Sequence, residues 1–224
     1  MKVHSGQVQA GQSCADLEDF SFHRTPVLVV EDFWSADERR GFREAMDRAN
    51  WNALSELPHV REDFPNSGNW SKAEIAQPQA QVLLRRLPMK PIQEYVESFP
   101  GIKGRHLGFS YYSYGAGDCL LTHDDTAQGY QTIGKAAPLR RLAMVTYFHE
   151  EWESDWGGEL IVYAPESESS GKKPKLRVTH CIAPLPGSLV MFTVPRFHRV
   201  CRVDETAGAH RRLSIAGWFM TEHY

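Results

Sequence analysis

Residues 142–149 read LAMVTYFH, residues 188–194 read SLVMFTV, and residues 211–220 read RRLSIAGWFM. These runs are rich in β-branched and aromatic residues, and clusters of Gly, Pro or charged residues separate them, which is typical of β-strands. Three further runs of this kind lie after Gly101, at 106–114 (HLGFSYYSY), 159–163 (ELIVY) and 176–183 (LRVTHCIA). The pattern therefore predicts six or more strands in the second half of the chain.

Helical patterns precede these strands. Ser35 and Glu38 have the spacing of a capping box, in which each side chain accepts a hydrogen bond from the backbone of the other residue. Apolar residues then recur at helical spacing, so one face of this helix is expected to pack inward: Phe42, Ala45, Met46 and Ala49. A second helical stretch runs from about residue 79 to residue 99, with interruptions near Pro88 and Pro91.

Two other segments complete the first half of the chain. Residues 27–30 (VLVV) predict a short buried strand before the first helix. Residues 55–75 contain several Pro, Gly and Asn residues and predict a long irregular segment, which is either a functional lid or poorly ordered. Residues 166–173 (ESESSGKK) predict a solvated hairpin loop.

Helices followed by strands indicate an α+β domain, in which helices flank a β-sandwich or barrel. The chain has 224 residues, of which 42% are hydrophobic, and this length favours one large domain over two small ones. We expect residues 1–25 to form a lead-in without clear periodicity, residues 26–100 to give helical support, and residues 101–224 to form the strand-rich core.

Composition limits the classes of function. The chain has 25 Lys+Arg and 28 Asp+Glu residues, a net charge of -3, which argues against a general nucleic-acid binder. No stretch approaches the ~20 apolar residues that span a bilayer, and the polar N-terminus shows no secretory pattern. The four cysteines include no CxxC pair and predict reduced, mostly structural thiols. We therefore expect a cytoplasmic protein without nucleic-acid or membrane partners.

The chemistry is concentrated in two short motifs. His123 and Asp125 are two residues apart, so on an extended segment their side chains leave the same face. His198 lies in a later run, from which a neighbouring strand could supply a third ligand. Two imidazoles and one carboxylate on one face of a metal form the facial triad of non-haem Fe(II) oxygenases. Because the chain has 10 histidines, this spacing is weak on its own.

The surrounding sequence makes the motif more specific. Six elements, which include both motifs, follow one another in a fixed order: Tyr114-Gly115-Ala116-Gly117 leading to LTHDD (121–125), Arg140 with VTYFHEEW (145–152), WGGEL (156–160), PLPGSLVMF (184–192), FHRV (197–200) and RLSIAGWF (212–219). In this order and spacing the chain resembles the prolyl 4-hydroxylase-like branch of the 2-oxoglutarate- and Fe(II)-dependent dioxygenases. The resemblance implies a double-stranded β-helix (jelly-roll, cupin-like) core with supporting N-terminal helices.

The resemblance also implies a role for each matching residue. His123, Asp125 and His198 would be the iron ligands. Arg212 would pair with the distal carboxylate of 2-oxoglutarate through its two-pronged guanidinium, from a strand adjacent to that of His198. Tyr147 would donate to the same carboxylate, and Tyr114 would line the co-substrate pocket.

Alternatives remain open at several of these positions. Arg211 could replace Arg212, since strand alternation turns only one of them inward, although the family register favours Arg212. Tyr147 could be a core residue, and Tyr112 is a rival to Tyr114 because both face the same side. Trp218 would flank the site. Gly157 and Gly158 indicate a tight turn, and Trp152 and Trp156 indicate packing.

The implied reaction is hydroxylation of an unactivated C–H bond with release of succinate and CO2. The substrate would be a prolyl or other amino-acid residue in a peptide or protein, with Fe(II), 2-oxoglutarate and O2 as cofactors and ascorbate in support. A hydroxylase of a free amino acid or small natural product is the alternative, and a non-catalytic binding module is a weaker one. Residues 55–75 and 126–139 would flank the pocket mouth. The oligomeric state is open.

Overall fold

The computed structural model describes residues 2–4, 26–98, 102, 107–126, 139–166 and 175–221. Over these ranges the chain forms twelve strands, four α-helices and three short 3₁₀ helices. The strands are β1 (Lys2–His4), β2 (Val27–Glu31), β3 (Asn52–Ala53), β4 (Ser71–Glu74), β5 (Leu107–Tyr114), β6 (Leu120–His123), β7 (Leu139–Tyr147), β8 (Leu160–Pro165), β9 (Leu176–Ile182), β10 (Leu189–Thr193), β11 (His198–Val200) and β12 (Arg212–Thr221). The helices are α1 (Ala36–Met46), α2 (Pro58–Asp63), α3 (Gln77–Arg86) and α4 (Lys90–Glu97).

The strands form two antiparallel sheets. The major sheet has eight strands in the order β1-β2-β10-β7-β12-β5-β4-β3, and the minor sheet has four in the order β6-β11-β8-β9. Leu160 and Val162 of the minor sheet pack with Val145 and Val190 of the major sheet in one buried cluster. The sheets therefore stack face to face, which confirms the predicted double-stranded β-helix.

The helices cover the opposite face of the major sheet. Side chains alternate along a strand, and in β7 Leu142 and Met144 contact the helices whereas Ala143 and Val145 face the minor sheet. The helical partners in this second cluster are buried: Phe42, Met46, Leu83, Ile92 and Tyr95. The central strands are thus buried on both faces, which fixes the register of the residues they carry.

Most of the predicted elements are confirmed. Each predicted strand run coincides with a strand of the fold, and Ser35 and Glu38 form the predicted capping box at α1. The predicted second helix is two helices, α3 and α4, which are separated around Pro88. In the described ranges no helix has the length and apolarity needed to cross a bilayer.

Two expectations are wrong. Residues 55–75 are not wholly irregular, because they include most of a 3₁₀ helix (Leu54–Glu56), all of α2, and β4. Residues 2–4 are not lead-in without structure, since β1 pairs with β2. Neither β1 nor β4 has a strong local pattern, and each is held as a strand by its neighbour in the sheet. Residues 5–25, 127–138 and 167–174, including most of the predicted 126–139 and 166–173 loops, lie outside the described residues.

Candidate active site

The three predicted metal ligands converge between the two sheets. His198 on β11 lies directly opposite His123 at the end of β6, as expected for a ligand from a neighbouring strand. Asp125 follows β6, and its carboxylate oxygens lie 3.3 Å from Nε2 of His123 and 3.5 Å from Nε2 of His198. One ligand atom from each residue lies within 4.8 Å of the other two, and within the described ranges this is the sole group of this kind.

Backbone carbonyls orient both imidazoles in the same way. Nδ1 of His123 is 2.7 Å from the carbonyl oxygen of Leu121, and Nδ1 of His198 is 2.8 Å from that of Arg196. A neutral imidazole that donates from Nδ1 carries its lone pair on Nε2. Both Nε2 atoms face the Asp125 carboxylate. Such second contacts fix the tautomer and the ring orientation of metal-binding histidines.

Asp125 reaches this position through a turn and not through extended backbone. The strand ends at His123, and Asp125 has a φ of +61°, in the left-handed region. The expectation that His123 and Asp125 share one face of an extended segment is therefore wrong. Asp is among the residues that tolerate this conformation best, and the turn brings its carboxylate back toward the two histidines.

The electrostatics favour an ionised Asp125 carboxylate and a neutral His198 imidazole. Burial alone would raise the pKa of Asp125, but the hydrogen bond to His123, the charges of His198 and His123, and the Trp218 N–H lower this pKa to about 2. Burial, together with the nearby His123, lowers the pKa of His198 to about 4. An ionised carboxylate and two neutral imidazoles are the forms that bind a metal.

These donors fit a divalent metal of the first transition row. Metal–ligand bonds of ~2.1 Å place neighbouring donor atoms on one ion about 3 Å apart, close to the 3.3 and 3.5 Å found between Asp125 and the histidines. Two imidazoles and one carboxylate are the donor set of Fe(II) oxygenases. His123, Asp125 and His198 could therefore hold Fe(II).

Arg212 lies on the major sheet, on the face that looks toward the triad. Its side chain is buried, with 2% exposure, and it donates from Nε to the Gly158 carbonyl at 2.8 Å and from a terminal nitrogen to the Tyr147 hydroxyl at 3.2 Å. No carboxylate among the described residues pairs with this guanidinium. A buried cation without an anion indicates a site for an anionic ligand.

The choice between the two arginines is clear in the geometry. Arg211 points the other way and donates to the Ser113 hydroxyl at 2.9 Å. Arg212 is not on a strand adjacent to that of His198, as the sequence had suggested, because β12 and β11 belong to different sheets. The chain crosses between the sheets after β11, so that Arg212 approaches the triad from the opposite side.

Aromatic residues surround the Arg212 guanidinium. Its Cζ lies 4.8 Å from the ring centre of Tyr147 and 5.5 Å from that of Tyr114, and both tyrosines are buried. Tyr112 faces the same side from the next site-facing position of β5 and is only half-buried. Burial and the Asp125 charge raise the pKa of Tyr112 to about 12, although Arg140 opposes this. Tyr114 therefore lies beside Arg212, and Tyr112 lies closer to the triad.

Sequence reasoning missed Ser214. This residue sits two positions after Arg212 on the same face of β12, opposite Tyr112 on one neighbouring strand and Tyr147 on the other. Its hydroxyl is buried and has no hydrogen-bond partner among the residues that the structure describes. Buried polar groups are normally paired, so this hydroxyl is available to a ligand that lies beside Arg212. The alternation along β12 was the signal that could have found it.

Trp218 connects the two halves of the site. Its indole Nε1 donates to Asp125 Oδ2 at 2.7 Å, and the Arg140 Cζ lies 3.6 Å above its ring. Arg140 also donates to the Asp125 backbone carbonyl at 3.3 Å. The predicted flanking role of Trp218 is thus a direct contact with one of the three candidate ligands.

Phe64 is a second residue that the sequence did not single out. It follows α2, and its ring packs edge-on against His123 with the ring centres 5.2 Å apart. Asp118 ties this segment to the core, since its carboxylate accepts from the Asn69 and Gly115 backbone N–H groups. Part of the segment predicted to flank the pocket mouth therefore forms a wall of the site.

The remaining predictions concern packing. Gly157 and Gly158 both have positive φ, 68° and 73°, and form the predicted turn. Trp156 is buried and stacks on His210, and the Trp152 indole donates to the Gly157 carbonyl at 2.9 Å. A Cβ on Gly158 would lie 3.0 Å from Arg212, so the glycine also leaves room for that side chain.

The sequence profile described as the 2OG-Fe(II) oxygenase superfamily matches residues 109–220. This range contains the triad, Arg212, Tyr147, Tyr114 and Ser214. The chain therefore belongs to the 2OG-Fe(II) oxygenase superfamily, whose enzymes use Fe(II), 2-oxoglutarate and O2.

Several similar proteins are named prolyl hydroxylases. The chain is 30% identical over 141 residues to prolyl 3-hydroxylase OGFOD1 of Mus musculus, a match that covers 61% of this chain but only 23% of that relative. A prolyl-4-hydroxylase from Pseudomonas putida has the same fold, with a TM-score of 0.58, 17% identity, and coverage of 92% of this chain and 97% of that one. A Trichoplax adhaerens prolyl hydroxylase, solved with a peptide fragment of hypoxia inducible factor, gives a TM-score of 0.52 at 16% identity, with coverage of 89% and 86%.

Proposed function

We propose that this chain hydroxylates a prolyl or other amino-acid residue of a peptide or protein, converting 2-oxoglutarate and O2 to succinate and CO2. The observation that carries the proposal is the combination of two features between the two sheets: the His123–Asp125–His198 cluster, and the buried Arg212, which pairs with no carboxylate among the described residues. The first suits Fe(II), and the second suits the distal carboxylate of a dicarboxylate co-substrate.

The substrate class is inferred from the relatives. The mouse relative is named a prolyl hydroxylase, and the Trichoplax neighbour was solved with a peptide. Because this chain spans less than a quarter of the mouse protein, its activity and substrate are proposals here.

Each residue has a distinct task in this proposal. Arg212 and Tyr147 hold the distal carboxylate, and the Ser214 hydroxyl donates to it. The two imidazoles and the Asp125 carboxylate hold Fe(II), which with bound 2-oxoglutarate supplies the oxidising chemistry. Trp218 orients the Asp125 carboxylate. Phe64 and Tyr112 line the site and exclude water from the reacting centre.

The test is turnover by the protein reconstituted with Fe(II), 2-oxoglutarate and O2. Succinate release and a substrate mass gain of one oxygen atom are measured with proline-containing peptides and with free amino acids. We expect peptides to be hydroxylated. Oxidation of free amino acids alone would replace the proposed substrate class with a small-molecule one.

A matched pair of histidine variants controls this test. His198→Ala is expected to reduce succinate formation by at least ~10³-fold, because the metal loses a ligand. His210→Ala is expected to stay within ~2-fold, because its half-exposed ring stacks on Trp156 away from the triad. Equal turnover by the two variants would contradict the proposed metal centre.

A further inference from the structure

Arg140 reaches the triad because β7 is irregular near its start. The pairing of β7 with β12 shifts register here, since β7 contains one residue more than β12 between Arg140 and Leu142. Such an irregularity re-aims the local side chains. The Arg140 side chain lies over the ring of Trp218, which is on the face of the major sheet that looks toward the triad. The irregular pairing therefore places a guanidinium beside the metal-binding half of the site.

The Arg140 guanidinium makes two contacts that converge on Asp125. Its Cζ lies 3.6 Å from the ring centre of Trp218, and one of its terminal nitrogens donates to the Asp125 backbone carbonyl at 3.3 Å. The Trp218 indole N–H in turn donates to the Asp125 carboxylate at 2.7 Å. One guanidinium thus contacts both the backbone of Asp125 and the indole that binds its side chain.

The two contacts restrain different parts of Asp125. The φ of this residue is +61°, a left-handed value that is uncommon outside glycine. The bond from Arg140 to the Asp125 carbonyl stabilises this turn, which brings the carboxylate back to the histidines. A cation is attracted to the face of an aromatic ring, so the stacked guanidinium also holds the Trp218 indole in the orientation from which its N–H meets the carboxylate.

The charge of Arg140, taken alone, would act against metal binding. A divalent ion held by the triad would be repelled by a guanidinium beside the same site, because like charges repel. Removal of a residue that acted only as a charge would therefore tighten metal binding. Removal of a residue that orients Asp125 would weaken it. The sign of the change in metal affinity distinguishes these two effects.

We propose that Arg140 is a positioning residue for the metal centre, which holds Asp125 in its ligating orientation through Trp218 and through the Asp125 carbonyl. This inference rests on the proposed Fe(II)-binding role of Asp125. Residues that orient a metal ligand typically raise metal affinity by about 10- to 100-fold. The gain from orientation is therefore expected to exceed the loss from repulsion between guanidinium and metal.

The first measurement is an anaerobic Fe(II) titration. Arg140→Met removes the charge and both contacts, and it should weaken Fe(II) binding by at least ~10-fold. Arg140→Lys keeps the charge but lacks the planar, forked guanidinium, so its affinity should fall between those of the native chain and Arg140→Met. Arg141→Met is the matched control, because Arg141 donates to the Thr221 hydroxyl at 3.1 Å. It should stay within ~2-fold of the native affinity.

The second measurement needs no metal. The chain has six tryptophans, and the indole N–H signal that is lost from the NMR spectrum of Trp218→Phe identifies that of Trp218. This proton should exchange slowly with solvent in the native chain, because it is bonded to Asp125. Arg140→Met should speed its exchange by at least ~10-fold, since the indole is no longer held in place. Arg141→Met should leave the exchange rate unaltered.

A double variant tests whether Arg140 acts through Trp218. In the Trp218→Phe background, the bond to the Asp125 carbonyl is the contact that Arg140→Met still removes. Arg140→Met should therefore weaken Fe(II) binding by less than ~3-fold in this background, against at least ~10-fold in the native chain. Equal effects in both backgrounds would overturn the route through the indole.

The outcomes separate this inference from the proposed function. Tighter or unchanged Fe(II) binding in Arg140→Met overturns the positioning role, while the metal centre stands. Equal affinities of Arg140→Lys and the native chain assign the effect to charge and also overturn it, as does unchanged exchange of the Trp218 N–H in Arg140→Met. If the native chain binds no Fe(II), the proposed metal centre fails and this inference falls with it.

Discussion

The two sheets hold the two halves of the candidate site in different ways. The minor sheet contributes the metal-binding half from short strands, β6 with four residues and β11 with three. Its side chains are oriented by carbonyls of their own segments, two residues earlier in the chain. The major sheet contributes the co-substrate half from the ends of long strands, since Tyr147 is the last of nine residues in β7 and Arg212 is the first of ten in β12.

This difference indicates how each half should respond to change. The metal-binding half depends on a few local contacts, so loss of one ligand should remove metal and activity together. The co-substrate half is set by strand register across the major sheet, so loss of one side chain should weaken 2-oxoglutarate binding and leave the metal in place.

The largest expected effect tests the metal-binding half. Asp125→Asn removes the carboxylate charge that lies between the two imidazoles. It should lower succinate formation by at least ~10³-fold, with a parallel loss of Fe(II) affinity. Asp124→Asn is the matched control, since Asp124 accepts from the Thr126 N–H and an amide oxygen can do the same. It should stay within ~3-fold. Retained Fe(II) affinity in Asp125→Asn would remove this residue from the ligand set.

The next effect tests the co-substrate half. Arg212→Met should raise the KM for 2-oxoglutarate by ~10²-fold, because a charge-assisted contact to a carboxylate is lost. Its Fe(II) dissociation constant should stay within ~2-fold, which also shows that the variant folds. Turnover against 2-oxoglutarate concentration and anaerobic metal titration measure the two quantities.

Arg211→Met provides the comparison at the neighbouring position. The KM for 2-oxoglutarate should not change, but the lost bonds to Ser113 should lower the free energy of unfolding by ~1 kcal/mol in urea denaturation. An equal rise in the KM for 2-oxoglutarate in both variants would mean that the register of β12 does not determine which of the two arginines binds 2-oxoglutarate.

The two halves also differ in how much the sequence predicts. The short motifs suggested His123, Asp125 and His198 as a candidate triad, because metal ligation needs particular residue types, and the order of the surrounding elements made the suggestion specific. Arg212, Tyr147 and Tyr114 were predicted through the family resemblance; strand alternation turned only one of Arg211 and Arg212 inward, and the family register favoured Arg212. The same alternation brings Ser214 into the pocket, but a serine in a strand carries no signal of its own.

The sequence pattern could not predict residues that reach the site only through tertiary structure. Phe64 contacts His123 only because the segment after α2 folds back over β6. The left-handed turn at Asp125 also gave no sequence signal, since Asp is tolerated there without being required. The cytoplasmic location and the single-domain organisation stay predictions.

Trp218 joins the two halves and gives the third test. It stands on the major sheet yet donates to Asp125, so Trp218→Phe should weaken Fe(II) binding by ~10-fold, as expected for a residue that orients a ligand. The KM for 2-oxoglutarate should change little. Trp152→Phe, which loses a bond to the Gly157 carbonyl, should leave Fe(II) affinity unaltered. Unchanged Fe(II) binding in Trp218→Phe would show that the two halves are independent.

The smallest effect concerns His149, which lies behind the co-substrate half. Its Nε2 is 2.7 Å from the Pro184 carbonyl, and its ring packs between Tyr147 and Trp152. Burial lowers the pKa of His149 to about 3; the Pro184 carbonyl opposes this shift and the Arg212 charge adds to it. The folded protein therefore keeps this imidazole neutral where the unfolded chain, with a His pKa of about 6.5, takes up a proton.

Above the unfolded-state pKa, both the folded and the unfolded protein keep His149 neutral, so this residue costs no stability. As the pH falls below that value, only the unfolded chain takes up the proton, and the free energy of unfolding decreases. Between about pH 7.5 and about pH 5.5 the loss amounts to ~1 kcal/mol in the free energy of unfolding. His149→Gln keeps a donor for the Pro184 carbonyl but does not titrate, so its free energy of unfolding should fall by ~1 kcal/mol less than that of the native chain over this range. Urea denaturation at both pH values measures the difference, and the triad histidines contribute equally to both proteins. Identical pH dependence of the two proteins would mean that His149 accepts a proton in the folded state. The packing around Tyr147 in the major sheet would then be looser than the structure indicates.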